Sequence, residues 1–192
     1  MAAAGKVITG YSDPYVALYN NNEGVVTYTN CQKLARGVSV SVDPESSDEN
    51  IFYADDVAAE SAGVTFTGGS AAIGVDGLLV AAERFIMGLP TADTDGWTDY
   101  DDDQSIPYLG FGCVVRAMAD GIESFTPYVL YKVKFDEIPL AAETQEDEID
   151  WQTTELNANL FRSDAAKHRW RGTGGSYSTR AEAVTALVAR LS

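Results

Sequence analysis

The chain holds one histidine and two cysteines among its 192 residues, and that scarcity removes several kinds of chemistry. A zinc site draws on clustered Cys and His. Here His168 sits in the basic run KHRWRG with no cysteine near it, and it reads as a surface strand residue. A hydrolase triad needs that histidine beside a nucleophile and an orienting acid, and no G-x-S-x-G elbow precedes a helix. Cys31 and Cys113 lie far apart and form no C-x-x-C pattern, so they read as free, buried thiols rather than a disulfide framework. GTGGS at 172–176 lacks the G-x-x-x-x-G-K-[ST] spacing of a phosphate loop and reads as a turn.

Long apolar runs are missing too. The opening MAAAGKVITGYSDPY has no extended h-region and does not read as a secretory signal. The longest apolar stretch, GLLVAAERFIMGL, is too short for a bilayer and carries Glu83 and Arg84 in its middle. The expectation is a protein made and kept in a cytoplasm, away from membranes, with no cofactor and no metal. Carboxylate pairs of the kind a glycosidase uses are plentiful, but with 29 acidic residues neighbours arise by chance. The reading is therefore not an enzyme.

Basic residues are scarce, 13 Lys and Arg against 29 Asp and Glu, for a net charge of −16. Such a surface repels DNA and anionic membranes, which argues against nucleic-acid binding through basic patches. The deficit is uneven. Residues 1–161 hold 7 basic and 27 acidic side chains, a net of −20, while residues 162–192 hold 6 and 2, a net of +4. An acidic body with a basic end pairs either internally or with a second copy.

What is present is β-forming sequence and aromatic volume. The 45% apolar content and 192 residues suit one domain with a real core, 1–192. PYVALY (14–19), the turn cluster NNNEG and VVTYTN predict a hairpin. In LARGVSVSVDP (34–44) Val38, Val40 and Val42 alternate with Ser39 and Ser41, a strand with one dry face that Pro44 should end. PESSDEN reads as a loop and IFYA as a short strand, so 44–61 is an extended loop and strand with Asp55 and Asp56 on its shoulder. GVTFTGGSAAIGV alternates again, its glycines suggesting a bulge or close backbone approach. IPYLGFGCVVRAM and SFTPYVLYKVKF are strands joined by the turn pair Asp120-Gly121. EIDWQTTELNANLF (148–161) reads as a long strand and KHRWRG (167–172) as a short one.

Two segments have helical spacing. In GLLVAAERFIMG (77–88), Leu78, Leu79, Ala82, Phe85 and Ile86 make a short, well-buried helix with Gly88 as its stop. In 178–192, Thr179 and Glu182 match a capping box, and Val184, Leu187, Val188 and Leu191 form one apolar stripe. Between them, 93–104 is an acidic loop. Asp93 and Asp95 are followed at once by Gly96, and Asp99, Asp101 and Asp103 lack the glycine and distal Glu of a calcium loop. A solvated loop is the main reading and a loosely held divalent ion the minor one. The tally is seven to nine strands and two helices without βαβ alternation. That predicts a mainly β, α+β chain, an antiparallel sandwich or barrel with a short flanking helix and a C-terminal helix.

The ordered elements DPYVALY, SVSVDPESSDENIFYADDVAAES, GVDGLLVAAERFIMG, PYLGFGCVVRAM…PYVLYKVKF and EIDWQTTELNANLF resemble the major tail proteins of long-tailed bacteriophages, in particular the phi13-type group. The likeness runs from about Tyr11 to Arg171 and rests on the order of short motifs. It does not extend to the acidic loop or the terminal helix. It implies a tail-tube fold and a structural virion protein. Its rings, usually hexameric, would stack into a tube that conducts DNA during ejection without binding it specifically. The implied partners are copies of itself, the tape measure protein, and the tail terminator and tail tip proteins. The implied location is the virion tail, assembled in the host cytoplasm. A monomeric or trimeric phage decoration or adhesion β-sandwich is the alternative. The resemblance also implies that the stretch from Pro44 to Ser61 reaches toward a neighbouring ring. Phe52, Tyr53, Asp55, Asp56 and Glu60 would then form an interface with Arg162, Lys167, Arg169 and Arg171 of another subunit. With −16 per copy, the lumen of such a tube is expected to be acidic.

Overall fold

The computed structural model describes residues 5–144 and 151–192. They form ten strands and two helices: β1 Val7–Asn22, β2 Val25–Lys33, β3 Gly37–Ser46, β4 Ile51–Ala54, β5 Val57–Ser61, β6 Phe66–Val75, α1 Val80–Met87, β7 Leu109–Ala119, β8 Ile122–Phe135, β9 Thr154–Leu160, β10 Arg171–Thr173 and α2 Arg180–Arg190. All strand pairs are antiparallel. The chain is mainly β with a short helix and a C-terminal one, as the alternation predicted. The main sheet has eight strands in the order β2-β1-β7-β8-β9-β6-β3, with β10 on β8. β3 comes back against β1, so the sheet curls into an open barrel.

Three hairpins share one turn chemistry. Glu23-Gly24 joins β1 to β2, Asp55-Asp56 joins β4 to β5, and Asp120-Gly121 joins β7 to β8, each pair with positive φ at both residues. That is the type I′ geometry, whose twist matches the strands it connects.

The period of two places apolar side chains on both faces of the central strands. On the concave face Val16, Ile73, Phe111, Val133, Phe135 and Leu156 pack with Ile86 and Met87 of α1. On the other face Ala17, Val114 and Val129 pack with Ala183, Leu187 and Leu191 of α2. Full burial of a leucine is worth roughly 1.5–3 kcal/mol, so Leu187 and Leu191 anchor the last helix. α1 ends at Gly88, whose φ of 67 is the left-handed cap geometry. α2 begins with the expected capping box: Glu182 N donates to Thr179 Oγ1 at 3.3 Å and Thr179 N donates to the Glu182 carboxylate at 3.2 Å. Cys31 and Cys113 are both free thiols. Burial pushes the Cys113 thiol up to about 12 and raises that of Cys31 as well.

Several boundaries differ from the sequence expectation. Pro44 does not end β3: the strand runs on to Ser46, because β3 is the sheet edge, where a missing N–H is tolerated. Val38 is 52% exposed, off the dry face, because the register shifts between Gly37 and Ser39. β1 begins seven residues before Pro14. A register shift between Ser12 and Tyr15, with Asp13 at φ 52, carries the ladder past the proline. The strand expected over 148–161 is formed only from Thr154; Trp151 is 83% exposed and unpaired in the ladder, and 148–150 lie outside the described residues. KHRWRG is a turn that becomes strand only at Arg171, and His168 takes a positive φ of 44. α1 starts at Val80, leaving Leu79 exposed as its N-cap. The fully buried stripe of α2 is Ala183, Leu187 and Leu191, with Val184 and Val188 on its flanks.

Asp13 ties both ends of the chain together. It is 5% exposed and accepts from Lys33 Nζ at 2.8 Å and from the Arg180 guanidinium, Nη2 at 2.8 Å. Burial pushes its carboxyl up, but the hydrogen bonds from Arg180 and Lys33 outweigh that and hold it at about 2. A carboxyl lowered in the fold contributes stability above its unfolded pKa and loses it as pH falls through the folded one. Asp13→Asn is therefore expected to lose about 2 kcal/mol at neutral pH, with the gap from wild type closing between about pH 4 and pH 2 in urea unfolding. A second expectation concerns Gly112, where a Cβ would lie 2.5 Å from Leu187 Cδ1 and 3.0 Å from Leu191 Cδ1. Gly112→Val should lift α2 and lower unfolding stability by about 1–3 kcal/mol.

Candidate functional site

The segment read as an extended loop and strand is a hairpin arm. Ser47 and Thr65 close its root: Ser47 N donates to Thr65 O at 2.8 Å and Thr65 N donates to Ser47 Oγ at 3.1 Å. Ala62 N donates to Asn50 O at 2.9 Å one step further out. β4 and β5 then pair with each other as a separate two-stranded sheet. Asp55 and Asp56 are not on the shoulder of a strand. They are the two turn residues, at φ 50 and 60. Neither is glycine, so the tip carries backbone strain and two adjacent like charges together.

Every residue from Asp48 to Thr65 is exposed. Register assigns the faces. Phe52 lies opposite Glu60, and Ala54 opposite Val57; Tyr53 lies opposite Ala58, and Ile51 opposite Ser61. One face thus carries Phe52, Ala54, Val57 and Glu60, the other Ile51, Tyr53 and Ala58. Phe52 is 64% and Tyr53 62% exposed. A lone two-stranded ribbon is marginal in water, and this one is apolar on both sides. Five acids, Asp48, Glu49, Asp55, Asp56 and Glu60, and no basic residue lie between Ser47 and Thr65.

The basic candidates sit on a different feature. β8 shares one edge among three partners: β9 at Val133–Phe135, β10 at Tyr128–Leu130, and Tyr177 at Phe125. Between β9 and β10 the chain leaves this edge as a loop, 161–170. Asp164 pins it, accepting from Lys132 Nζ at 2.7 Å and Tyr19 OH at 3.0 Å. His168 Nδ1 donates to Ser163 O at 3.1 Å. Arg162 donates to the Phe66 carbonyl, Trp170 stacks flat on Phe66 at 4.5 Å, and the Arg171 guanidinium lies 4.8 Å from the centre of the Trp170 ring. This brings Arg162 and Arg171 to the root of the arm. Lys167 and Arg169 are exposed and form no ion pair among the described residues. Within one copy, then, the acids stand on the arm, Arg162 and Arg171 lie at its root, and Lys167 and Arg169 stand on the loop.

Sequence reasoning missed the surface next to that loop. A groove of about 500 Å³ runs between β2 and the end of α2, lined by Val26, Tyr28, Ala165, Arg169 and Arg190 among others. Arg190 is held in place by its guanidinium, which donates to Tyr131 OH at 2.8 Å. The available signal was the run from Val25 to Gln32, which has no charged residue in a chain that is 22% charged.

The acidic loop closes on itself. Asp93 Oδ1 accepts from the backbone N–H groups of Asp95 and Trp97, both at 2.9 Å, and Asp101 Oδ1 from that of Asp103 at 3.0 Å. Tyr100 OH donates to Glu83 Oε1 at 2.6 Å, which fastens the loop to α1. Among the described residues no group of three or more His, Cys, Asp or Glu is arranged to hold a metal ion. Nor is any helix long and apolar enough to cross a membrane.

No family model and no curated protein matches this chain.

The arm's exposure generates a direct expectation. Replacing Asp48–Val64 by Asn-Gly, which suits the same turn type, should leave the thermal midpoint within about 2 °C of wild type. A larger loss would mean that the arm packs on its own domain.

Proposed function

We propose that the chain is a structural subunit that assembles with copies of itself into stacked hexameric rings forming the tail tube of a long-tailed bacteriophage. The observation that carries this reading is the arm. It is apolar on both faces, acidic at its tip and exposed throughout Asp48–Thr65, a feature that gains stability only when another surface covers it. The curled antiparallel sheet with helices on its two faces agrees with the fold that the sequence resemblance implies. So does the open sheet edge β2, which a subunit can use to join its neighbours. In this reading the protein is not an enzyme, it belongs to the virion tail, and DNA passes through an acidic lumen that does not hold it. The tape measure, tail terminator and tail tip proteins are its further partners by the same resemblance.

Negative-stain imaging and size exclusion of the purified full chain test this. Long tubes of uniform diameter are the expected result. A persistent small oligomer or monomer would sink the tail-tube reading in favour of a decoration or adhesion sandwich. So would a reconstructed tube whose inner wall is basic sink the acidic lumen.

A further inference from the structure

Among the described residues nothing covers the acidic arm, and the groove between β2 and α2 is basic, with Arg169 and Arg190 in its lining. The two lie at opposite ends of the strand order, since the arm continues the β3–β6 pair while β2 is the other edge. The edges are built differently. β3 carries Asp43, Pro44 and Glu45, charge and proline of the kind that block strand addition. β2 has neither charge nor proline from Val25 to Gln32, which leaves it open to another strand. The groove offers Val26, Tyr28 and Ala165 as apolar wall, with Arg169 and Arg190 beside them. The matching pattern on the arm is the face where Phe52, Ala54 and Val57 adjoin Glu60, with Asp55 and Asp56 at the tip.

We propose that the arm of a second copy of this chain occupies this groove. Phe52 and Val57 rest on the apolar wall beside the β2 edge, and Glu60 and the Asp55-Asp56 tip face Arg169, Arg190 and Lys167. Charge selects the site. Residues 1–161 carry a net −20 and repel an arm with five acids, whereas residues 162–192 carry +4. The contact is heterologous, arm of one copy to groove of the next, so it propagates along a chain of subunits or closes a ring. The proposal rests on the self-assembly reading above and names the surface that receives the arm.

A photo-crosslinking phenylalanine derivative in place of Phe52, in a mixture of light and isotopically heavy full-length chains, reads the contact on any oligomer. Intermolecular crosslinks are expected in Val25–Lys33, Ser163–Arg169 or Ala189–Ser192. Crosslinks confined to the acidic loop or to β3 overturn the docking, even where tubes form. Groove crosslinks in a small oligomer that never makes tubes support the docking and overturn the tail-tube reading instead. A chain that stays monomeric overturns both. Charge exchange gives a second measure. Glu60→Lys and Arg169→Glu should each raise the concentration for half-assembly by about ten-fold. A one-to-one mixture should recover it, because alternating copies then pair each reversed arm with a reversed groove. Two variants that assemble like wild type, or a mixture no better than its parts, would overturn the docking.

Discussion

The central β1-β7-β8 sheet has to be dry on both faces, and most of the molecule follows from that. In Tyr15–Tyr19, Leu109–Val115 and Pro127–Tyr131 every position is apolar, aromatic or glycine, and such stretches cannot leave either side in water. One face is enclosed by the curl of the sheet and by α1. The other is covered by α2, from the far end of the chain. The close fit of α2 explains Gly110 and Gly112, which sit where Leu187 and Leu191 descend onto β7. It also explains the care taken at the helix start, where a capping box and the Arg180–Asp13 ion pair fix its position. A helix held by a stripe, a cap and a buried carboxylate is part of the fold, not an appendage to it.

With both faces used, the domain meets its surroundings through edges, loops and the arm. The arm extends a strand pair beyond the last residue that touches the core, so it gains nothing from its own domain. Its apolar side chains and its like-charged, strained tip are unfavourable in an isolated subunit and favourable only against a complementary surface. The loop at 161–170 has the opposite character. It is basic, yet tied down by Asp164 and by the stack of Trp170 on Phe66. A mobile-looking composition is thereby held in a fixed place, which is what a receiving surface needs.

Much of this was legible in the sequence where local chemistry decides. The alternation of β3 and β6, the β-forming runs of β7 and β8, the Asp120-Gly121 turn, the Gly88 stop and the Thr179–Glu182 box all depend on neighbours in the chain. What was not legible depends on distant parts. Pro44 looks like a terminator until β3 is known to be an edge, and Asp13-Pro14 like a break until the bulge beside β7 is seen. Asp55-Asp56 lacks the glycine that marks the other two type I′ turns, so the hairpin hid as a loop. In α2 Leu187 and Leu191 are buried as read, but Ala183, small and unremarkable in sequence, takes the fully buried place that Val184 was given. The groove was hidden altogether, since β2, Ala165 and Arg190 meet only in three dimensions.

The strand order has a consequence for how the chain comes into being. β1 needs β7, and β3 needs β6 and then β9 beyond it, so the early strands emerge from the ribosome long before their neighbours exist. Non-local pairing of this kind is slow and leaves edges bare while the rest is made. The arm pairs only with itself and stays exposed throughout that interval, and it is also where acids crowd. The charge at the arm then acts before the fold is complete: it sets unfinished chains to repel one another along their barest segment.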